Sequence, residues 1–94
     1  NMGKAAAEAL AFTIAKEERQ HGIRANVVAP GLTVTDMATR MVRASGRGDI
    51  HDLDASSPFG RVSVPEDVAA TVTWMVSSAN PYVNGQKLYV DGGG

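Results

Sequence analysis

The chain has 94 residues, which is room for one small domain or a piece of a larger one, and its 44% hydrophobic and 20% charged residues set aside disorder, collagen-like repeats and coiled coil. A net charge of -1 with scattered Lys and Arg leaves no basic stripe for a phosphate backbone, and no run approaches the roughly 18 apolar residues of a membrane span. Cys is absent and no secretory layout opens the chain, so the expectation is a soluble, cytoplasmic protein with no disulfide, no thiolate metal site, and neither nucleic acid nor membrane as partner.

Residues 2 to 20 read as a helix: Ala5, Ala6, Ala7 and Ala9 are strong formers, and Met2, Ala6, Ala9, Leu10 and Ile14 recur at helical spacing. Its outer face is charged at Lys16-Glu17-Glu18-Arg19, and Gly22 stands where a helix stops in a left-handed residue. Ile23 to Ala29 is short, β-rich and closed by Pro30-Gly31, as expected of a buried strand in a parallel sheet. Residues 32 to 60 carry no sustained period. Ser45-Gly46-Arg47-Gly48-Asp49 and Ser56-Ser57-Pro58 are breakers, and a weak helix covers Met37 to Ala44. So long an irregular segment is either a mobile lid or a linker.

Ser63 and Glu66 stand at capping-box spacing with Pro65 in the first turn of the next helix. Because Pro65 pushes Val64 away from helical angles, Val64 is the other candidate cap, and the box is then imperfect. Val68, Ala69, Val72, Met75 and Val76 form one apolar face of a helix over 65–79, and Trp74, off that stripe, suits packing or a subunit contact better than a ligand platform. Asn80-Pro81 ends the helix, Asn84-Gly85 turns, and Lys87 to Val90 is the final strand.

Helix, strand, Pro-Gly loop, irregular segment, helix and strand make up the second half of a doubly wound α/β sheet. Ligands of such sheets bind beyond the carboxyl ends of the strands, which here means Pro30 to Met37. There Gly31 permits close backbone approach, Pro30 stiffens the exit, and Thr33 and Thr35 add hydroxyls beside backbone N–H groups. Read without further context, the same residues are equally well a plain turn with surface threonines.

Several stretches occur in one order: Gly3-Lys4-Ala5-Ala6, His21 to Gly31, Thr35-Asp36-Met37, Gly60-Arg61, Pro65 to Ala69, Asn84-Gly85-Gln86 and Val90 to Gly93. In this the chain resembles the C-terminal part of the short-chain dehydrogenase/reductases over nearly its whole length, least so over 38–57. The resemblance implies that residues 1–94 form the C-terminal portion of a single Rossmann-like, NAD(P)-binding sheet domain, incomplete on its own, with 36–60 as the substrate-binding loop. The family's catalytic Tyr precedes its Lys by four positions, so Lys4 is the implied active-site lysine, binding the nicotinamide ribose and lowering the phenol's pKa. An ammonium about 4 Å from a phenolate gains several kcal/mol at an effective dielectric near 20.

The resemblance further implies that Pro30, Gly31, Thr33, Val34 and Thr35 line the nicotinamide end, Val34 through its backbone and Thr35 through its hydroxyl. Leu32, Met37 and Met41 are implied to touch the substrate, although core packing is as good a reading for each. Ser63 and Asn84 depart from the common pattern without touching the chemistry. The implied activity is hydride transfer between NAD or NADP and a secondary alcohol or ketone, a 3-oxoacyl thioester among the candidates, in a homodimer or homotetramer that uses the last helix and strand. The other reading is a non-catalytic remnant acting as an assembly module. Without the glycine-rich half and the Tyr, the 94 residues alone are expected neither to catalyse nor to fold.

Overall fold

A computed structural model describes residues 2–46 and 48–94. Its elements in chain order are α1 (Met2–Glu17), a 3-10 turn at Arg19–His21, β1 (Val27–Pro30), α2 (Asp36–Ala44), 3-10 turns at Ile50–Ser56 and Pro58–Gly60, α3 (Pro65–Met75) and β2 (Lys87–Val90). The two strands are parallel and adjacent, pairing Val27 with Lys87 through Pro30 with Val90. Parallel neighbours need a long crossover, and α2, the turns and α3 supply it, with α3 lying against both strands.

Helix α1 ends a turn earlier than its periodicity implied, and Gly22 takes the left-handed φ of 74° expected of it. The apolar stripe along α1 is not the packed face: Met2 is 90% and Leu10 61% exposed. The inward row is instead Glu8, Ala11, Phe12 and Ala15, with Ala15 fully buried. That row meets the lead-in to β2, where Asn84 Nδ2 donates to the Ala15 carbonyl at 2.8 Å and Lys87 Nζ reaches Glu8 at 2.7 Å. Asn84 is thus a clamp between α1 and the sheet.

β1 is shorter than the stretch Ile23–Ala29 suggested, and it takes in Pro30. The backbone over 24–26 bonds to a loop rather than a strand. Ala25 N–H donates to Asn84 Oδ1, the Ala25 carbonyl accepts from Gly85 N–H, and Arg24 and Asn26 side chains both donate to the Val83 carbonyl. Pro30 has no N–H to give, so it can only close the ladder. Neither strand is fully buried among the described residues.

Residues 32–60, read as irregular apart from a weak helix over Met37 to Ala44, are more ordered than expected, and that helix forms as α2. They contain α2, two 3-10 turns and most of the principal apolar core, in which Val42, Ile50 and Val62 are buried with Val34, Ala38 and Leu53 packed against them. Caps hold this segment. The Thr35 hydroxyl oxygen accepts from Ala38 N–H, and Asp49 and Asp52 each accept an N–H from the other's turn. Of the breakers at 45–49, Arg47 lies outside the described residues.

α3 stops at Met75, not 79, and its buried side is Met75 with half-buried Val68 and Thr71; Ala69, Val72 and Val76 face outward. Its N-cap is Val64, and the residue reaching back is Asp67, not Glu66: Asp67 Oδ2 accepts Val64 N–H at 2.8 Å. Val64 has no side-chain acceptor, so the box is one-sided, as Pro65 required.

Candidate active site

β1 and β2 run parallel, so their carboxyl ends lie side by side, and the chain leaves β1 there through Pro30, Gly31 and Leu32. Gly31 N–H donates to the Val90 carbonyl at 3.0 Å, extending the ladder by one rung. A Cβ at Gly31 would lie 2.9 Å from Asp91 Cβ, so glycine is required by the protein's own second strand end. Thr33 and Ser63 then form an isolated parallel bridge, and Val34 N–H donates to the Ser63 carbonyl at 2.7 Å. The N–H of Val34, between the two threonines and expected to be available for a ligand, is engaged within the chain, as is that of Gly31.

The two hydroxyls differ. Thr33 Oγ1 donates its hydrogen to the Gly31 carbonyl at 3.0 Å, whereas Thr35 Oγ1 accepts from Ala38 N–H at 3.1 Å and keeps its own hydrogen to donate outward. Thr35, Pro30 and Leu32 are exposed. Met37 and Met41 are 67% and 64% exposed one turn apart on α2, while Ala38 and Val42 on the opposite side enter the core. Both methionines thus lie outside the Val42–Ile50–Val62 core. Lys4 stands in the first turn of α1 with its side chain exposed.

A cleft of about 310 Å³ opens beside Gly31 and Leu32, walled by Pro58, Phe59, Arg61, Ser63 and Asp91 among others. Phe59 is 88% exposed with a left-handed φ of 59°, an uncommon conformation for a bulky residue. Gly92 lies against the same turn: its Cβ would fall 2.5 Å from Pro58 Cβ.

Arg61 and Asp67 were seen in the sequence only as parts of matched motifs, and the structure joins them. Arg61 clasps Asp67 with both guanidinium nitrogens at 2.7 and 3.0 Å, and Ser63 Oγ adds a longer contact at 3.3 Å. The guanidinium first, then Val64 N–H, hold the Asp67 carboxyl well below the usual carboxylate range. The spacing of Asp67 three residues after Val64 was the signal available for this contact. Among the described residues no cluster of three or more His, Asp or Glu could hold a metal, and no helix is long and apolar enough to cross a membrane.

A family profile described as enoyl-(acyl carrier protein) reductase matches residues 1–94. The short chain dehydrogenase/reductase astE of Aspergillus oryzae is 38% identical over 84 residues, covering 89% of this chain and 32% of that protein. An acetoacetyl-CoA reductase of an Acinetobacter species is 38% identical over 96 residues, covering 99% of this chain and 37% of the relative. Among solved structures YwfH, an NADPH dependent reductase involved in bacilysin biosynthesis, superposes with a TM-score of 0.83 at 26% identity over 98% of this chain and 37% of its own. The chain thus spans about a third of the length of these relatives, and its two strands and three helices are a portion of their Rossmann-type sheet. By sequence and by fold it belongs to the short-chain dehydrogenase/reductase family.

Proposed function

We propose that this chain supplies the C-terminal wall of the active site of an NAD(P)-dependent oxidoreductase acting on a secondary alcohol or ketone. The observation that carries this reading is the strand-end loop 30–35, pinned by Gly31 to Val90 and by Val34 to Ser63, which presents Thr35 outward at the start of α2. Its exposed groups are neutral, which suits the carboxamide end of a nicotinamide and not its phosphates. Thr35 offers a hydroxyl hydrogen; Val34, its N–H spent, offers its carbonyl; Thr33, its hydrogen spent, offers at most a lone pair. Pro30 and Gly31 set the approach of the backbone.

The chemistry a bound nicotinamide brings is hydride transfer at its ring. Lys4, placed four residues after the family's tyrosine, binds the ribose and stabilises the phenolate, so that the phenol exchanges a proton with the substrate oxygen near neutral pH. Leu32, Met37 and Met41 form an apolar surface toward the substrate, with 36–60 as the element that varies with substrate. The acetoacetyl-CoA reductase relative supports a 3-oxoacyl thioester as one substrate to try. In the intact protein, Lys4→Ala lowers kcat on the order of 100-fold or more and raises the cofactor KM. Unchanged kinetics with a competent ketone removes the role given to Lys4.

A second reading, assembly of identical chains through α3 and β2, is favoured by Val72, Trp74, Val76 and Tyr89, each exposed by at least two-fifths. Sedimentation of Trp74→Ala tests it: a dimer or tetramer loosens, and an unchanged mass removes Trp74 from the contact. A Phe or Ala four positions before Lys4 would mark the non-catalytic assembly module.

A further inference from the structure

We propose that Arg61 and Asp67 are positioning residues for the nicotinamide loop, acting through a single peptide group. This inference rests on the hydride-transfer reading above. The carbonyl that receives Val34 N–H at 2.7 Å belongs to Ser63, and the N–H of that same peptide unit is Val64 N–H, which Asp67 Oδ2 accepts at 2.8 Å. A peptide group is planar and rigid, so fixing its N–H fixes the direction of its carbonyl. Charge on the acceptor at one end polarises the group and strengthens the bond at the other. Asp67 is in turn oriented by the two nitrogens of Arg61, a bidentate contact that a single-point cation cannot reproduce. The sequence of contacts is therefore Arg61 to Asp67, Asp67 to the 63–64 peptide, and that peptide to Val34, whose neighbours Thr33 and Thr35 carry the hydroxyls.

The loop is tied across to other segments at two places among the described residues, by Gly31 to Val90 at its start and by the Thr33–Ser63 bridge, with Val34 N–H on the Ser63 carbonyl, in its middle. The first is a rung of the sheet ladder and leaves Thr35 four residues away. The second sits one residue from Thr35. Loosening it moves the hydroxyl relative to the strand ends without unravelling either strand. A misplacement of about 1 Å in such a group costs as much as 100-fold in rate.

Three variants of the intact protein separate this role from plain stabilisation, each read by NADPH and NADH fluorescence titration, steady-state kinetics and Tm. Asp67→Asn weakens binding of the preferred nicotinamide and its kcat/KM on the order of tenfold, well below Tm, while substrate KM changes less. Arg61→Gln, which leaves Asp67 its bond to Val64, has a smaller effect in the same direction and serves should Asp67→Asn not fold. Glu8→Gln removes another ion pair, at Lys87, and leaves nicotinamide binding at the wild-type value. Lowered Tm with wild-type nicotinamide affinity in both Asp67→Asn and Arg61→Gln overturns the positioning role and leaves the hydride-transfer reading standing. A wild-type protein that binds neither NADPH nor NADH overturns both.

Discussion

Two regions of this molecule reverse the roles their sequences suggest. The strands, apolar and short, read as the buried centre, yet no residue of β1 or β2 is fully buried in this chain, and Tyr89 is 61% exposed. The segment between β1 and α3, rich in breakers, read as a lid, yet it contains Val42 and Ile50, and Ile50 at 1% is the most buried large side chain described. The difference teaches that a burial pattern belongs to a whole sheet, whereas caps and short helices close a local core unaided. A two-stranded sheet has two faces and two edges to cover, and α3 is in contact with both strands. The 34–62 segment closes on itself through Thr35, Asp49, Asp52 and Asp54, the last accepting Val62 N–H at 2.9 Å.

Substitutions in the intact protein sharpen or break this contrast. Ile50→Ala removes the most enclosed side chain and should lower stability by about 2–5 kcal/mol in urea unfolding. A loss under about 1 kcal/mol would return the segment to the status of a lid. Gly31→Ala forces a methyl against Asp91 and should cost about 1–3 kcal/mol, with nicotinamide binding weakened in parallel. Thr35→Ala deletes the cap of α2 and should cost about 1 kcal/mol; Thr35→Ser, which keeps the oxygen, should recover most of it.

Acid tests the same contrast from the side of charge. Asp49 is held below its ordinary pKa, first by the His51 N–H it accepts, and Asp67 is held lower still by Arg61. Carboxyls whose folded pKa is depressed contribute stability above their unfolded value near 4 and lose it as pH falls through the folded one. Both flank the 34–62 core, so hydrogen-exchange protection factors, which remove the intrinsic pH dependence of amide exchange, should fall there below about pH 4 before they do in β1 and β2. A uniform loss of protection would place the acid-sensitive groups elsewhere. Lys87 has the opposite sign: Glu8, then Tyr89, raise its pKa, so that tie is present below about pH 10 and fades above it.

Much of the architecture was legible in residue types. Gly22 as a left-handed stop, Lys87–Val90 as the last strand, Val64 as a cap disturbed by Pro65, and the Pro30-Gly31 exit beyond a strand end all follow from backbone chemistry that acts over three or four residues. Which face of α1 packs was not legible, because Met2, Ala6 and Leu10 share the period of Glu8, Ala11 and Ala15, and periodicity does not say which row meets a partner. At the site, Thr35 was legible as a hydroxyl. That Thr33 has spent its hydrogen on Gly31 was not.

By itself the sequence determined the order of elements, their stops and caps, and through its ordered motifs the family, because these depend on local torsions and on residues close along the chain. Only the tertiary structure decided which faces are covered, that Gly31 yields to Asp91, and that Arg61 and Asp67 reach Val34 through one peptide group. The long links among them, Gly31 to Asp91 and Val34 to Ser63, join residues 60 and 29 positions apart, and complementarity at such separations is created by folding and has no period to betray it.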